Sequence, residues 1–127
     1  MFTYPLTLDS TGHLGTGLSK IFDILDFPTN GSLSGVTADA LTAPRQMKIS
    51  HSSSTRNGVV YNRHLVRLDM QETDATDGDV TASAYVVLDV PHLQTTITEY
   101  DVSNLVGQLI DMLTNAGAIT KILGGES

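Results

Sequence analysis

The sequence contains no cysteine. Disulfides, thiolate nucleophiles and thiolate metal sites are therefore excluded, and any stapling of the fold has to be non-covalent. No apolar run approaches the length needed to cross a bilayer. The start, Met1-Phe-Thr-Tyr-Pro5, lacks the basic residues and apolar stretch of a signal peptide. The expectation is a soluble, unprocessed chain with no membrane partner. Charge is also sparse, since 17% of residues are charged and 40% are apolar. Thr, Ser, Gly and Val are abundant, which favours strands and turns over long helices and argues against disorder or a coiled coil. The 127 residues fit one domain, 1–127, whose modest burial would gain from pairing with another copy.

Positive charge is scarce and unevenly placed. Seven Lys and Arg stand against fourteen Asp and Glu, a net charge of −7 that by itself argues against a polyanionic partner. Five of the seven cations, Arg45, Lys48, Arg56, Arg63 and Arg67, fall between positions 45 and 67, where there is no acidic residue. That segment carries +5, and the other two cations with all fourteen acids leave −12 elsewhere. Such segregation points to one basic surface on an acidic body, as a polyanion binder needs. The plainer alternative is five cations scattered around two ordinary strands.

Along the chain, residues 2–8 and Leu18–Leu25 read as an N-terminal hairpin joined by the turn-rich Asp9–Gly17. The glycines at 12, 15 and 17 do not make a phosphate loop, because no helical pattern follows them. Pro28–Gly31 is a further turn, and Ser32–Ala43 is strand or loop of small residues. Arg45–His51 and Val59–Met70 alternate in polarity, and Asn57-Gly58 between them is a hairpin signal because both residues tolerate positive φ. Parity puts Met47, Ile49, Val66, Leu68 and Met70 on one face, and Lys48, Ser50, Arg63, Leu65 and Arg67 on the other. Arg45 falls on the apolar parity and is expected at a strand end or beyond a bulge. Gln71–Val80 reads as an acidic loop without the ligand order of a calcium site. The next strand, Thr81–Val90, turns Tyr85, Val87 and Asp89 towards the cationic face.

After Pro91 the period changes from two to 3.6. Val102, Leu105, Val106, Leu109, Ile110 and Leu113 share one side of a helix, with Thr98 or Asp101 as N-cap and Asn115–Gly117 as its stop. Ala118–Leu123 is a further turn or two before a Gly-Gly-Glu-Ser tail. Gly107 suits the close approach of another backbone. The histidines at 13, 51, 64 and 92 have no spacing to Ser or Asp that suggests a hydrolytic site, and His51 abuts a serine-rich turn, Ser52–Thr55, without an elbow motif. No catalytic, metal or cofactor site is expected.

The order of elements, with Pro28–Gly31, Arg45–Asn57 and Tyr61–Asp69 as its closest stretches, resembles the coat proteins of the small single-stranded RNA bacteriophages, nearest to the allolevivirus-like branch. The resemblance spans nearly the whole chain. It implies an α+β fold in which an N-terminal hairpin and an antiparallel sheet precede two C-terminal helices, with two chains interlocked into a dimer that has one continuous sheet. Dimers would build an icosahedral shell, T=3 in form, assembled in the cytoplasm of a bacterial host and ending in the virion. The implied partners are the chain itself, single-stranded genomic RNA or an operator hairpin, and a maturation protein. By strand position, Lys48, Ser50, Arg63, Arg67 and Tyr85 would line the RNA-binding face, with cations for phosphates and the tyrosine ring for an unstacked base. Leu65, where some relatives carry a polar RNA contact, and Val87 depart from that pattern and weigh against one specific hairpin more than against general packaging. The competing reading is a dimeric RNA-binding regulator that forms no shell.

Overall fold

A computed structural model of the chain describes residues 2–15, 17–92 and 96–126. Thr16 of the predicted turn and Ser127 of the predicted tail lie outside the described residues. Six strands come first: β1 (Leu6–Asp9), β2 (Ser19–Asp26), β3 (Gly31–Gly35), β4 (Arg45–Arg56), β5 (Val59–Asp74) and β6 (Gly78–Pro91). Two helices follow, α1 (Glu99–Thr114) and α2 (Ala118–Leu123). The strands form a six-stranded sheet in chain order, every neighbouring pair antiparallel, so the topology is a simple meander followed by helices. This is the expected α+β arrangement.

Local chemistry sets the long central hairpins. Asn57 and Gly58 adopt φ of 51° and 77°, so both centre residues of the β4–β5 turn take the left-handed backbone that a two-residue hairpin needs. That turn fixes the register from Arg56 opposite Val59 to Arg45 opposite Met70. Met47 therefore faces Leu68 and Ile49 faces Val66 on one side of the sheet, here the apolar face. Lys48 and Ser50 lie on the other, cationic face.

Strand extents depart from the sequence expectation at several places. β1 covers only Leu6–Asp9, and β3 ends at Gly35 before an irregular segment. β4 continues through Ser52–Thr55, which were expected to turn. The expected acidic loop Gln71–Val80 is instead mostly paired strand, with Gln71 opposite Thr81 and Asp74 opposite Gly78. Only Ala75–Asp77 turns. The Asp74 carboxylate closes that turn by accepting from the backbone N–H groups of Thr76 at 2.7 Å and Asp77 at 3.0 Å, and Gly78 supplies a φ of 74°. Thr73 donates to Asp79 across the strands at 2.9 Å. Polar residues on both faces carry no period-two hydrophobic signal, so this pairing left no trace in the hydropathy pattern.

The buried core is small and sits towards β2–β4, where Phe22, Val36, Met47 and Ile49 cluster beneath Tyr4, Leu6 and Leu8 of the N-terminal segment. Across β5 and β6 the apolar face is bare, and Val66, Leu68, Met70 and Val86 are each more than a third exposed. Helix α1 starts where expected. Thr98 is its N-cap, and a reciprocal capping box joins Thr98 to Asp101. Its apolar stripe has no surface to cover: Leu105 is 64% exposed, Ile110 53% and Leu109 44%. The packing neighbour of α1 is α2. A Cβ on Gly107 would meet nothing, so the close backbone approach expected there is not made within the chain. No helix among the described residues is long and apolar enough to cross a membrane.

The accessible surface of the chain is 9444 Å² for 13.6 kDa. A compact monomer of that mass exposes about 6,600 Å², so the chain carries about 2,900 Å² in excess.

The β3–β4 pairing depends on Gly31, because a Cβ there would be driven into the carbonyl oxygen of Ile49 on the neighbouring strand. Gly31→Ala is expected to destabilise the fold by about 1–3 kcal/mol, the range for overpacking a close contact. Chemical denaturation checks this, and an unchanged midpoint would show that β3 does not hold Gly31 against β4.

Candidate nucleic-acid interface

The strand register brings the predicted site residues onto one face. Lys48 lies opposite Arg67, and Arg67 lies opposite Tyr85, so the three form one row across β4, β5 and β6. Ser50, Leu65 and Val87 make the next row, and Ser52, Arg63 and Asp89 the one after. Neighbouring strands lie about 4.8 Å apart and residues rise about 3.4 Å, so Arg63 and Arg67 stand about 14 Å apart along β5. Tyr85 is 63% exposed, its ring open to stacking. Leu65 and Val87 place an apolar strip between the two cationic rows.

Three residues outside the predicted set belong to this face, and they change its electrostatics. Arg56, at the end of β4, lies with its guanidinium 4.6 Å from the centre of the Tyr61 ring. Asp89 accepts from Arg56 and from Arg63, the latter at 3.4 Å. Asp69 accepts from Arg67 Nε at 2.8 Å and from the Ser83 hydroxyl, while Arg67 also donates to Ser83 at 3.1 Å. The three arginines are thus held by carboxylates of the same sheet. Lys48 alone of the four cations has no carboxylate partner among the described residues. Arg45, at the start of β4 as parity suggested, turns to Asp39 on the other side of the sheet at 3.9 Å.

Both carboxyls are held below the ordinary carboxylate range. For Asp89 the main cause is the hydrogen bond from Arg56, with Arg63 adding to it. For Asp69 it is the hydrogen bond from Ser83, followed by that from Arg67. Two of these residues were within reach of sequence reasoning. Asp69 sits two residues from Arg67 and hence on its face, and Arg56 shares the parity of Lys48. The Asp89–Arg63 pairing needed the register.

The chemistry of the arrangement is that of anion exchange on a partly apolar sheet face. A phosphate offers the geometry that a carboxylate offers to a guanidinium, so it can take the place of Asp89 or Asp69 on the arginines. An exposed ring beside them can stack on a base. The four histidines make no hydrogen bond to a carboxylate among the described residues, and no group of three or more metal-ligating side chains occurs among them.

Solved structures share this architecture. The virus-like particle of bacteriophage GQ-907 matches with a TM-score of 0.71 at 17% identity, over 91% of this chain and 89% of that one. The virus-like particle of Wenzhou levi-like virus 4 matches with a TM-score of 0.66 at 16% identity, over 91% of this chain and 82% of that one. The coat protein of bacteriophage EMS014 matches with a TM-score of 0.59 at 16% identity, over 85% of this chain and 71% of that one. The chain has the RNA-phage coat-protein fold. No family model matches the sequence, and neither does any curated protein. The coat-protein fold is therefore carried here by topology and face parity, with little identity of residues.

The Asp89 carboxylate, ionised at neutral pH with its folded-state pKa depressed, favours the folded arrangement above its unfolded pKa. That contribution is lost as pH falls through the depressed value, when Arg56 and Arg63 are released. Asp89→Asn should release them at neutral pH. The expected outcome is tighter binding of single-stranded RNA, with a salt dependence steeper by about 0.7 log units for each additional phosphate neutralised. Filter binding across a salt series checks this, and an unchanged slope would show that Asp89 does not compete with RNA.

Proposed function

We propose that the chain is the subunit of a viral capsid that pairs with a second copy, assembles into a closed icosahedral shell and holds single-stranded RNA against its cationic face. It acts as a structural protein and carries out no catalytic step. The observation that carries this reading is the surplus of about 2,900 Å² of accessible surface over a compact monomer of the same mass. Obligate interfaces bury about 2,000–5,000 Å² in total, so a surplus of this size per chain suits permanent association. Its location supports the same reading, because the uncovered apolar surfaces include the stripe of α1 and the bare β5–β6 part of the apolar face. A two-fold pair in which each α1 covers the partner's sheet satisfies both at once. The fold neighbours include a coat protein and virus-like particles, which supports a role in a shell and a location in the virion.

With its apolar face covered, the dimer would leave the cationic face open. Lys48, Ser50, Arg63, Arg67 and Tyr85 are the residues proposed to meet RNA, with Arg56 beside them. Lys48 is available at once, the arginines exchange carboxylate for phosphate, and Tyr85 is suited to a presented base. Genomic RNA is the proposed cargo. A translational-operator hairpin and a maturation protein are the finer partners that the resemblance implies.

Expression of the chain alone should yield roughly spherical particles containing host RNA, read by electron microscopy and by the ratio of nucleic-acid to protein absorbance. A chain that stays dimeric at low and moderate salt, with no particles on grids, would instead be the RNA-binding regulator. Replacing Arg63 and Arg67 together by Ala should lower the packaged RNA and flatten the salt dependence of binding by dimers, while leaving the dimer folded. Packaging equal to the parent's would remove the cationic face as the RNA site.

Leu109→Asp places a carboxylate on the α1 stripe. It is expected to abolish soluble dimer, because burying an unpaired charge costs several kcal/mol. A folded monomeric variant would contradict the proposed pairing.

A further inference from the structure

On the cationic face, Arg56 reaches from the end of β4 across β5 to the carboxylate of Asp89 on β6. On the way its guanidinium passes over the ring of Tyr61, which shares the parity of Arg63 and Arg67 on β5, at 4.6 Å from the ring centre. The ring supports the guanidinium from below and the carboxylate holds its end, yet the Arg56 side chain is 49% exposed. We propose that Arg56 laid on Tyr61 is a second platform for an unpaired RNA base, which stacks on the solvent side of the guanidinium. The inference deepens the proposed binding of RNA on this face and rests on it.

A guanidinium is planar, delocalised and weakly hydrated, so an unstacked base lies on it much as on an aromatic ring. A free arginine would give up side-chain freedom to receive the base, whereas Arg56 is already held by Tyr61 and Asp89. The neighbourhood leaves room. Ser50, Ser52 and Ser54 are the same-face residues of β4 leading up to Arg56, and Ser54 stands directly opposite Tyr61. Ser52 and Ser54 are exposed. Their small side chains let a base approach from that side, and their hydroxyls can donate to or accept from its edge.

The platform stands well apart from Tyr85. Tyr61 lies opposite Pro91, and Arg67 opposite Tyr85, so the two rings are separated by about 20 Å along the strands. Nucleotides in a stacked strand rise about 3.4 Å each, so the bases on the two platforms are not neighbours in the RNA. Arg63 and Arg67 lie between them for the intervening phosphates. A strand laid along β5 would thus meet a base platform at each end and cations in the middle. Both platforms take the π-face that every base has, so this arrangement tolerates sequence and suits packaging of a long RNA.

The test uses the full-length protein, stripped of nucleic acid, and two strands of equal length, one of ordinary single-stranded RNA and one of abasic ribose phosphate. Arg56→Lys keeps the charge and removes the plane, and Tyr61→Leu removes the ring beneath it. One base stack contributes roughly 5- to 150-fold in affinity, so each variant should bind the ordinary strand at least about 5-fold more weakly. The abasic strand should show no such difference, and Arg56→Lys should keep the parent's salt slope. Equal weakening on both strands, or a flattened slope, would assign Arg56 to a phosphate and overturn the platform. A lowered denaturation midpoint with the preference for the ordinary strand intact would make the pair a support of the sheet alone, and overturns it too. Should Tyr61→Leu fail to fold, Arg56→Lys decides, since it changes an exposed side chain. The double Arg63 and Arg67 variant separates the two readings. If it binds ordinary RNA as the parent does, the face itself is wrong; if it weakens and Arg56→Lys does not, only the platform falls.

Discussion

Two apolar surfaces lack a covering layer among the described residues, and most other features of the structure follow from how they are placed. The meander puts β5 and β6 last in the strand order, and Val66, Leu68 and Val86 stay more than a third exposed although Leu8, Leu18 and Phe22 face Leu68 and Met70 across one hollow. The chain then leaves the sheet and forms a well-capped helix whose main packing neighbour among the described residues is the short α2. A helix or sheet with one apolar side needs a second layer. In the proposed dimer each chain supplies the layer that the other lacks, which is how 127 residues with a small core could make a rigid building block.

Covering one face of a sheet leaves the other as a working surface. That surface would reconcile a net charge of −7 with the proposed polyanionic cargo. Its arginines already have partners on the sheet, because Asp89 accepts from Arg63 and Asp69 from Arg67. In the proposed complex, exchange of carboxylate for phosphate would cost less side-chain ordering than recruitment of free arginines, since rotamer freedom has already been given up. The apolar pair Leu65 and Val87 between the cationic rows suits contact with bases or sugars more than a dense row of phosphate ligands.

The legible parts of the fold were those where local chemistry and hydropathy agreed. Asn57-Gly58 fixed one hairpin, and from it parity alone put Lys48, Arg63, Arg67 and Tyr85 on one face, where the register also has them. Thr98, one of the two N-caps open in the sequence, marks the helix start because a side-chain cap is written in three or four residues. What escaped was pairing between polar stretches. Ser52–Thr55 and Gln71–Asp74 are strand because their neighbours hold them in register, and neither carries an apolar alternation. The ion pairs of the cationic face escaped for a related reason. Asp89 lies 26 residues from Arg63, and only the register makes them neighbours. The same blindness applies to His51 and His64, read separately as unremarkable histidines yet placed ring against ring by pairing.

The most direct test of the account is a cryo-electron microscopy reconstruction of the protein purified from expressing cells, at a resolution that traces side chains. The account predicts a closed shell in which α1 of each chain lies across β5 and β6 of a second chain, with Leu105, Leu109 and Ile110 against Val66, Leu68 and Val86. The opposite face, with Lys48, Arg63, Arg67 and Tyr85, should line the interior against RNA density. A helix folded back over its own sheet, or a shell with the arginine face turned outward, would contradict it.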